Sequence, residues 1–339
     1  IDPNLIVLGE GWTGGTSGLV ANEQTNKRVT YKVPGVAAFS DDIRDAIKGS
    51  VFDSWDNGFI SGKDGQEIGI QYGVVAAVEH SGVNYSAYEK TTGAWAGTPG
   101  QCITYSSCHD NLTLWDKIYY SAPDATEEQK ISMNKLSAAI IYTAQGVPFM
   151  LSGEEMLRSK PIEGTTEFSH NSYNLSDYTN SMKWDTLDDE KVADMHEYYK
   201  GLIDFRKAHP ALRMETKEDI EANLKFVEVE QKNVVAYTIA NSPRDDKAKN
   251  IMVIYNGNEE AVDITLPEGK WNEYINGEKA GTEVLDTVEG TVSVAGISAV
   301  VLVQEGANVA FIVGIIVGFV AVLAGFGIFV GTKKQASEA

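Results

Sequence analysis

With 339 residues, the chain is long enough for one large domain plus a smaller one and for a sizeable buried core. Its 48 acidic and 28 basic residues give a formal charge of -20, which excludes a nucleic-acid surface, because phosphates need clustered Lys and Arg. The two cysteines, Cys102 and Cys108, stand roughly 20 Å apart if their segment is extended, so they form no disulfide framework, and the five histidines show no metal-ligand spacing.

The first 210 residues alternate short apolar runs with helical patterns, which predicts a β/α architecture. Strands are expected at residues 5–8 and 36–39, a short helix at 41–48, a second helix around 65–79 and a third strand at 103–105. A polar turn follows. Thr126 with Gln129 three residues on has the capping-box spacing, and Met133, Leu136, Ile140 and Ala144 continue at helical intervals until Gly146. Residues 147–151 read as a fourth strand. The helix expected at 190–207 carries Met195, Tyr199, Leu202 and Phe205 on one face. Four strand-helix units make half of an eight-stranded barrel, assigned to residues 1–211.

From residue 212 the pattern changes to β-rich runs at 226–229, 234–239, 251–255, 262–266, 292–294 and 299–303. Asn256-Gly257 and Asn276-Gly277 favour tight hairpins, so residues 212–304 are expected to form a small antiparallel β-sandwich. Residues 306–332 carry no charge, and the apolar run 309–330 would span about 33 Å as a helix. Residues 305–332 therefore read as a transmembrane segment. Lys333 and Lys334 beyond it, against Glu305 before it, assign residues 333–339 to the cytoplasm and the rest of the chain to the outside. Gly314 and Gly318 offer a helix-pairing face. The nearest approach to a Leu-Pro-x-Thr-Gly sorting signal is Leu266-Pro267-Glu268-Gly269, without the threonine and far upstream, so the anchor is expected to be retained.

Two stretches carry candidate chemistry. Gly9-Glu10-Gly11-Trp12-Thr13-Gly14 matches G-x-G-x-x-G, but a dinucleotide loop needs a helix starting inside the glycines, and the polar run after Gly18 supports none. The alternative makes Glu10 a carboxyl group at the C-terminal end of a barrel strand, beside an aromatic on which a sugar face stacks. The second stretch, His109-Asp110-Asn111, follows another strand and offers donors and acceptors for adjacent hydroxyls. Taken singly, each is equally an ordinary loop.

In order, Gly9-Glu10-Gly11-Trp12, Phe39-Ser40-Asp41-Asp42-Ile43-Arg44-Asp45, His109-Asp110-Asn111 with Leu114-Trp115-Asp116-Lys117, Gly146-Val147-Pro148-Phe149 with Gly153-Glu154-Glu155, Leu157-Arg158-Ser159-Lys160, and His170-Asn171-Ser172-Tyr173-Asn174 closely resemble type I pullulanases of the α-amylase superfamily. The resemblance covers residues 1 to about 303. It implies retaining hydrolysis of α-1,6-glucosidic linkages in pullulan, amylopectin or limit dextrins, with an α-glucan as partner. Glu10 matches the general acid/base, for which a partly dry site would favour the protonated form. Asp110 matches the third family carboxylate, which holds ring hydroxyls. Trp12, His109, Asn111, Tyr173, Asn174 and Asp177 match substrate-binding positions, whereas Glu154 and Glu155 are given no catalytic role and read as supporting loop groups.

One departure is large. A retaining enzyme needs an aspartate nucleophile with its carboxyl group about 5 to 5.5 Å from that of the acid/base, and the family carries it on the strand before the Glu strand. No counterpart is present here. The chain is therefore expected to be the C-terminal part of a longer, membrane-anchored enzyme of a Gram-positive bacterium, inactive as it stands. The alternative function is a non-catalytic surface protein that binds α-glucan; an upstream strand with Arg-x-Asp would separate the two. No cofactor is identified, although the family resemblance allows calcium.

Overall fold

The computed structural model describes residues 5–20, 23–88 and 93–306. The expected membrane helix at 309–330 and the tail at 333–339 lie outside the described residues. Among the described residues, no helix is long and apolar enough to cross a membrane.

Four short strands, β1 (Val7–Gly9), β2 (Val36–Phe39), β3 (Cys102–Thr104) and β4 (Val147–Pro148), pair in parallel and in chain order. Helix α1 (Asp41–Lys48) follows β2 after a single residue, with Asp41 and Asp42 in its first turn and Lys48 in its last, matching the helix dipole at both ends. It packs on α2 (Glu67–Val74), where a side chain at Gly73 would meet the Ile43 side chain at 2.0 Å. α2 stops short of the expected 65–79 because Ala76 and Ala77 adopt left-handed backbone angles (φ 56 and 54).

After β3 comes α3 (Leu114–Ser121), where the sequence suggested a turn. Its buried face includes Asp116 and Lys117, which hides the apolar period, and Thr113 caps it by accepting the Asp116 N–H at 3.1 Å. Helix α4 (Glu127–Thr143) opens as expected: the Thr126 hydroxyl accepts from Gln129 N at 3.2 Å, and the Gln129 side chain accepts from Thr126 N at 2.9 Å. β4 is shorter than expected. Beyond it lie the single-turn α5 (Asp177–Asn180), the long α6 (Glu190–Ala208) and α7 (Lys217–Asn223).

The second sheet contains β5 (Leu224–Val227), β6 (Val234–Ala240), β7 (Ala248–Asn256), β8 (Val262–Ile275), β9 (Asp286–Val294) and β10 (Ser298–Glu305), antiparallel in the order β5-β6-β7-β10-β8-β9. The expected sandwich is corrected in one respect: its strands are continuous in one hydrogen-bonded sheet. The 14-residue β8 shifts register between Thr265 and Lys270 and lets the β8–β9 ribbon cover one face, trapping Ile254, Ile264, Trp271, Val292 and Leu302 between them. Asn276-Gly277 forms the expected tight turn, with Asn276 N donating to Lys279 O at 2.9 Å. Asn256-Gly257 makes no hairpin, since β7 pairs with β6 and β10. Instead, the Asn256 amide donates to the carbonyls of Glu260, Val294 and Ala295 and pins the connecting loop.

The other face of this sheet shares a core with the helices of the parallel-sheet region. Tyr237, Ile251, Val253, Tyr255, Ala299 and Val301 belong to one buried cluster with Leu136, Ile140, Tyr199 and Phe205. Arg206, buried, donates to the carbonyls of Tyr142, Ala144 and Gly146, where α4 hands over to β4. Both cysteines are free thiols, as expected.

Candidate active site

β1 ends at Gly9, so Glu10 emerges at the C-terminal end of a parallel strand. The chain leaves it under constraint. A side chain at Gly11 would meet Lys27 Cβ at 2.8 Å and Ala38 Cβ at 2.9 Å, while Lys27 N donates to Gly11 O at 2.6 Å. No helix begins between Gly9 and Gly18, in keeping with the rejection of a nucleotide loop.

β3 delivers the second group. Beyond it, Tyr105, Ser106 and Ser107 are buried, and the chain surfaces at His109 and Asp110. One polar side-chain atom from each of Glu10, His109 and Asp110 lies within 4.8 Å of the other two, and all three residues are exposed. Residues from two strand ends, 99 positions apart, thus converge on one spot. Their exposure means that the dry surroundings expected for Glu10 are not supplied by the described residues. As a cation site, two carboxylates and an imidazole do not suit calcium, which takes six to eight oxygen ligands.

The loop carrying Asp110 is held from below. Asn111 adopts φ 62, a conformation that asparagine tolerates better than most side chains, and the turn aims carbonyls inward. Buried Lys160 donates through Nζ to His109 O at 3.1 Å and to Asn111 O. Its own backbone N–H donates to Asp116 Oδ2 at 2.8 Å, and Ser159 Oγ donates to Asp116 Oδ1 at 2.5 Å. Burial raises the Asp116 carboxyl above its ordinary value and lowers the Lys160 ammonium, each partly offset by its partners. The sequence motifs contained both residues, but a charged residue in a loop reads as solvated, and nothing in the sequence marked them as buried supports.

Beneath the site is a second buried anchor. Glu154 accepts from Ser106 Oγ at 3.3 Å, from Ser107 Oγ and from the Tyr199 hydroxyl at 3.2 Å. Burial pushes its carboxyl up to about 7, and burial together with neighbouring Arg44 pushes Lys48 down to about 7.

The remaining expected residues stand on two other stretches of chain. Trp12, 41% exposed, follows Glu10 in the chain. Tyr173, 83% exposed, and the exposed Asn174 stand on the loop after β4 and the exposed Asp177 opens α5, and the Asn180 amide orders this segment by donating to Ser172 O and Leu175 O. A cavity of about 720 Å³ lined by His80, Tyr85 and Glu221 lies apart from these residues.

Residues 220–279 match the family model described as "Pullulanase, all-beta domain". The chain is 32% identical over 300 residues to the pullulanase of Bacillus subtilis (strain 168), covering 88% of this chain and 39% of that protein. Among solved structures, pullulanase from Bacillus acidopullulyticus superposes with a TM-score of 0.80 at 37% identity, covering 89% of this chain and 34% of that one. Pullulanase from Paenibacillus barengoltzii, solved in complex with maltohexaose and alpha-cyclodextrin, gives 0.78 at 36% identity, over 90% and 44%. The chain thus spans well under half the length of these relatives.

Proposed function

We infer that this chain, a pullulanase-family sequence by its similarity to these relatives, takes part in hydrolysing α-1,6-glucosidic linkages in pullulan, amylopectin or limit dextrins. The observation that carries this reading is the convergence of Glu10, His109 and Asp110 at the C-terminal ends of β1 and β3.

In this reading Glu10 protonates the departing glycosidic oxygen and later takes a proton from water. Asp110 and His109 grip hydroxyls of the sugar ring and favour its distortion toward an oxocarbenium-like transition state. Asn111 and Trp12 flank them, and Tyr173, Asn174 and Asp177 contact the chain farther along. A retaining mechanism also requires a nucleophilic carboxylate, which we assign to an aspartate outside the described residues. The saccharides held by the Paenibacillus barengoltzii relative support an α-glucan as ligand. The uncharged run 309–330, followed by Lys333 and Lys334, supports a membrane anchor that leaves the catalytic part outside a Gram-positive cell.

The test is maltotriose release from pullulan by the full-length gene product and its Glu10→Gln variant. Loss of general acid catalysis should cost roughly 10²- to 10⁴-fold in rate. A parent protein that bound pullulan without cleaving it would transfer the function to glucan binding at the cell surface.

A further inference from the structure

Four aromatic residues in ring contact form a surface patch that the proposed catalytic site does not use, and Phe52 stands exposed on the loop that carries one of them, Trp55. Phe52 is 92% exposed, Trp55 62% and Tyr119 51%, and Tyr120 and Phe168 are half-buried beside them. The rings contact one another edge to face: Trp55 on Tyr120 at 5.3 Å, Tyr119 on Phe168 at 5.3 Å and Tyr120 on Phe168 at 5.5 Å between centroids.

The patch is rigidly mounted. Lys117, buried on α3, donates to the carbonyls of Ser50, Asp53 and Ser54 and so fixes the loop that presents Phe52 and Trp55. Ser54 Oγ meets His170 Nε2 at 3.1 Å, and Phe168 N lies 3.3 Å from the Tyr120 hydroxyl, which tie that loop and α3 to the segment after β4. Lys130 lies over the Tyr119 ring at 5.4 Å. Clustered exposed rings of this kind mark a recognition surface, since isolated apolar residues are the ordinary condition of a protein exterior.

We propose that Phe52, Trp55, Tyr119, Tyr120 and Phe168 form an accessory platform that binds a linear α-1,4-linked arm of the same glucan whose branch point lies at Glu10 and Asp110. The proposal rests on the debranching reading for its ligand. A sugar ring has an apolar C–H face and a hydroxyl rim; here flat rings are bordered by phenol hydroxyls, an imidazole and an ammonium. A polymer with no charge of its own meets no repulsion from a chain of charge -20. The platform is also continuous with the site: α3 starts three residues after Asn111, and Tyr119 lies roughly 8 Å farther along its axis.

The experiment uses the full-length gene product, its Trp55→Ala/Tyr119→Ala double variant, Phe52→Ala and Glu10→Gln. Each is run through native gels containing amylopectin and assayed on a short branched dextrin. The expected result is that the double variant loses retardation in the gel, its affinity falling roughly threefold to tenfold per ring, while cleavage of the short dextrin is unchanged. Retardation equal to that of the parent would overturn the platform. Should the double variant fail on both readouts, Phe52→Ala decides, because its side chain is nearly free of protein contacts: weakened retardation supports the platform and undiminished retardation overturns it. Failure of the catalytic reading appears separately, as Glu10→Gln cleaving like the parent. In that case, loss of retardation in the double variant still supports the platform.

Discussion

At the scale of single residues, charged groups that never meet solvent set the geometry of the site. Lys160 and Asp116 fix the loop of His109 and Asp110, and Glu154 fixes the serines just before it. Glu154 has its carboxyl raised by burial from 4.5 to about 7. A raised value means that the folded state holds its proton more tightly than the unfolded chain. The associated stability is complete below pH 4.5 and is lost as pH rises through about 7. Melting temperatures measured from pH 4.5 to 8 should therefore fall less steeply for Glu154→Gln than for the parent; superimposable slopes would remove Glu154 from this role. Glu10 and Asp110 stand out in the sequence only through the order of the surrounding motifs, since a carboxylate in a loop after a strand is by itself an ordinary residue. Glu154 reads as a supporting group, but its burial and the roles of Asp116 and Lys160 are not legible there, because burial of a lysine or a carboxylate depends on partners dozens of residues away, such as Ser107 for Glu154.

At the scale of elements, local chemistry decided what the sequence could reveal. β2, α1 and the start of α4 lie where composition places them, since an apolar run, an acidic first turn and a capping box act within a few residues. The capping box gives a direct test: Thr126→Ala removes the acceptor for Gln129 N and should cost about 1 kcal/mol, read as a lower melting temperature. An unchanged value would mean that the end of α4 is held by tertiary packing alone. α3 escaped detection because Lys117 sits on its inner face, and its reason for being there, three carbonyls of the 50–54 loop, is a tertiary contact. The continuity of the second sheet was equally hidden. Six β-rich runs announce antiparallel strands, but the register shift within β8 that folds the sheet over itself leaves no clear mark in composition.

At the scale of the molecule, parallel and antiparallel sheets are joined by one apolar cluster and by buried polar ties. The Tyr237 hydroxyl donates to Thr143 O at 2.9 Å, and His209 Nδ1 pairs with Asp246 Oδ1 at 2.9 Å with both side chains almost fully buried. Burial alone would raise the Asp246 carboxyl, but His209 and the N–H groups of Ala248 and Ala211 outweigh it and hold the carboxyl below 3.8. With a depressed value, the stability it contributes is present above pH 3.8 and is lost as pH falls through the folded value below that. Asp246→Asn should lower the melting temperature at pH 6 and flatten the decline below pH 4. A variant that kept the parent's acid profile would assign that decline to other groups.

The shared cluster also bears on how such a protein can be rearranged. A domain that is exchanged between genes as a cassette must carry its own core, yet here one face of the antiparallel sheet is walled by α4, against β7 and β10, and by α2, against β6. A cut at the start of β5 would strip Tyr237, Tyr255 and Val301 of their neighbours and open the inner sides of both helices. For recombination, the smallest transferable unit is therefore the sheet together with the chain from α2 onward, and chimeras joined upstream of Glu67 should fold where those joined at Leu224 do not.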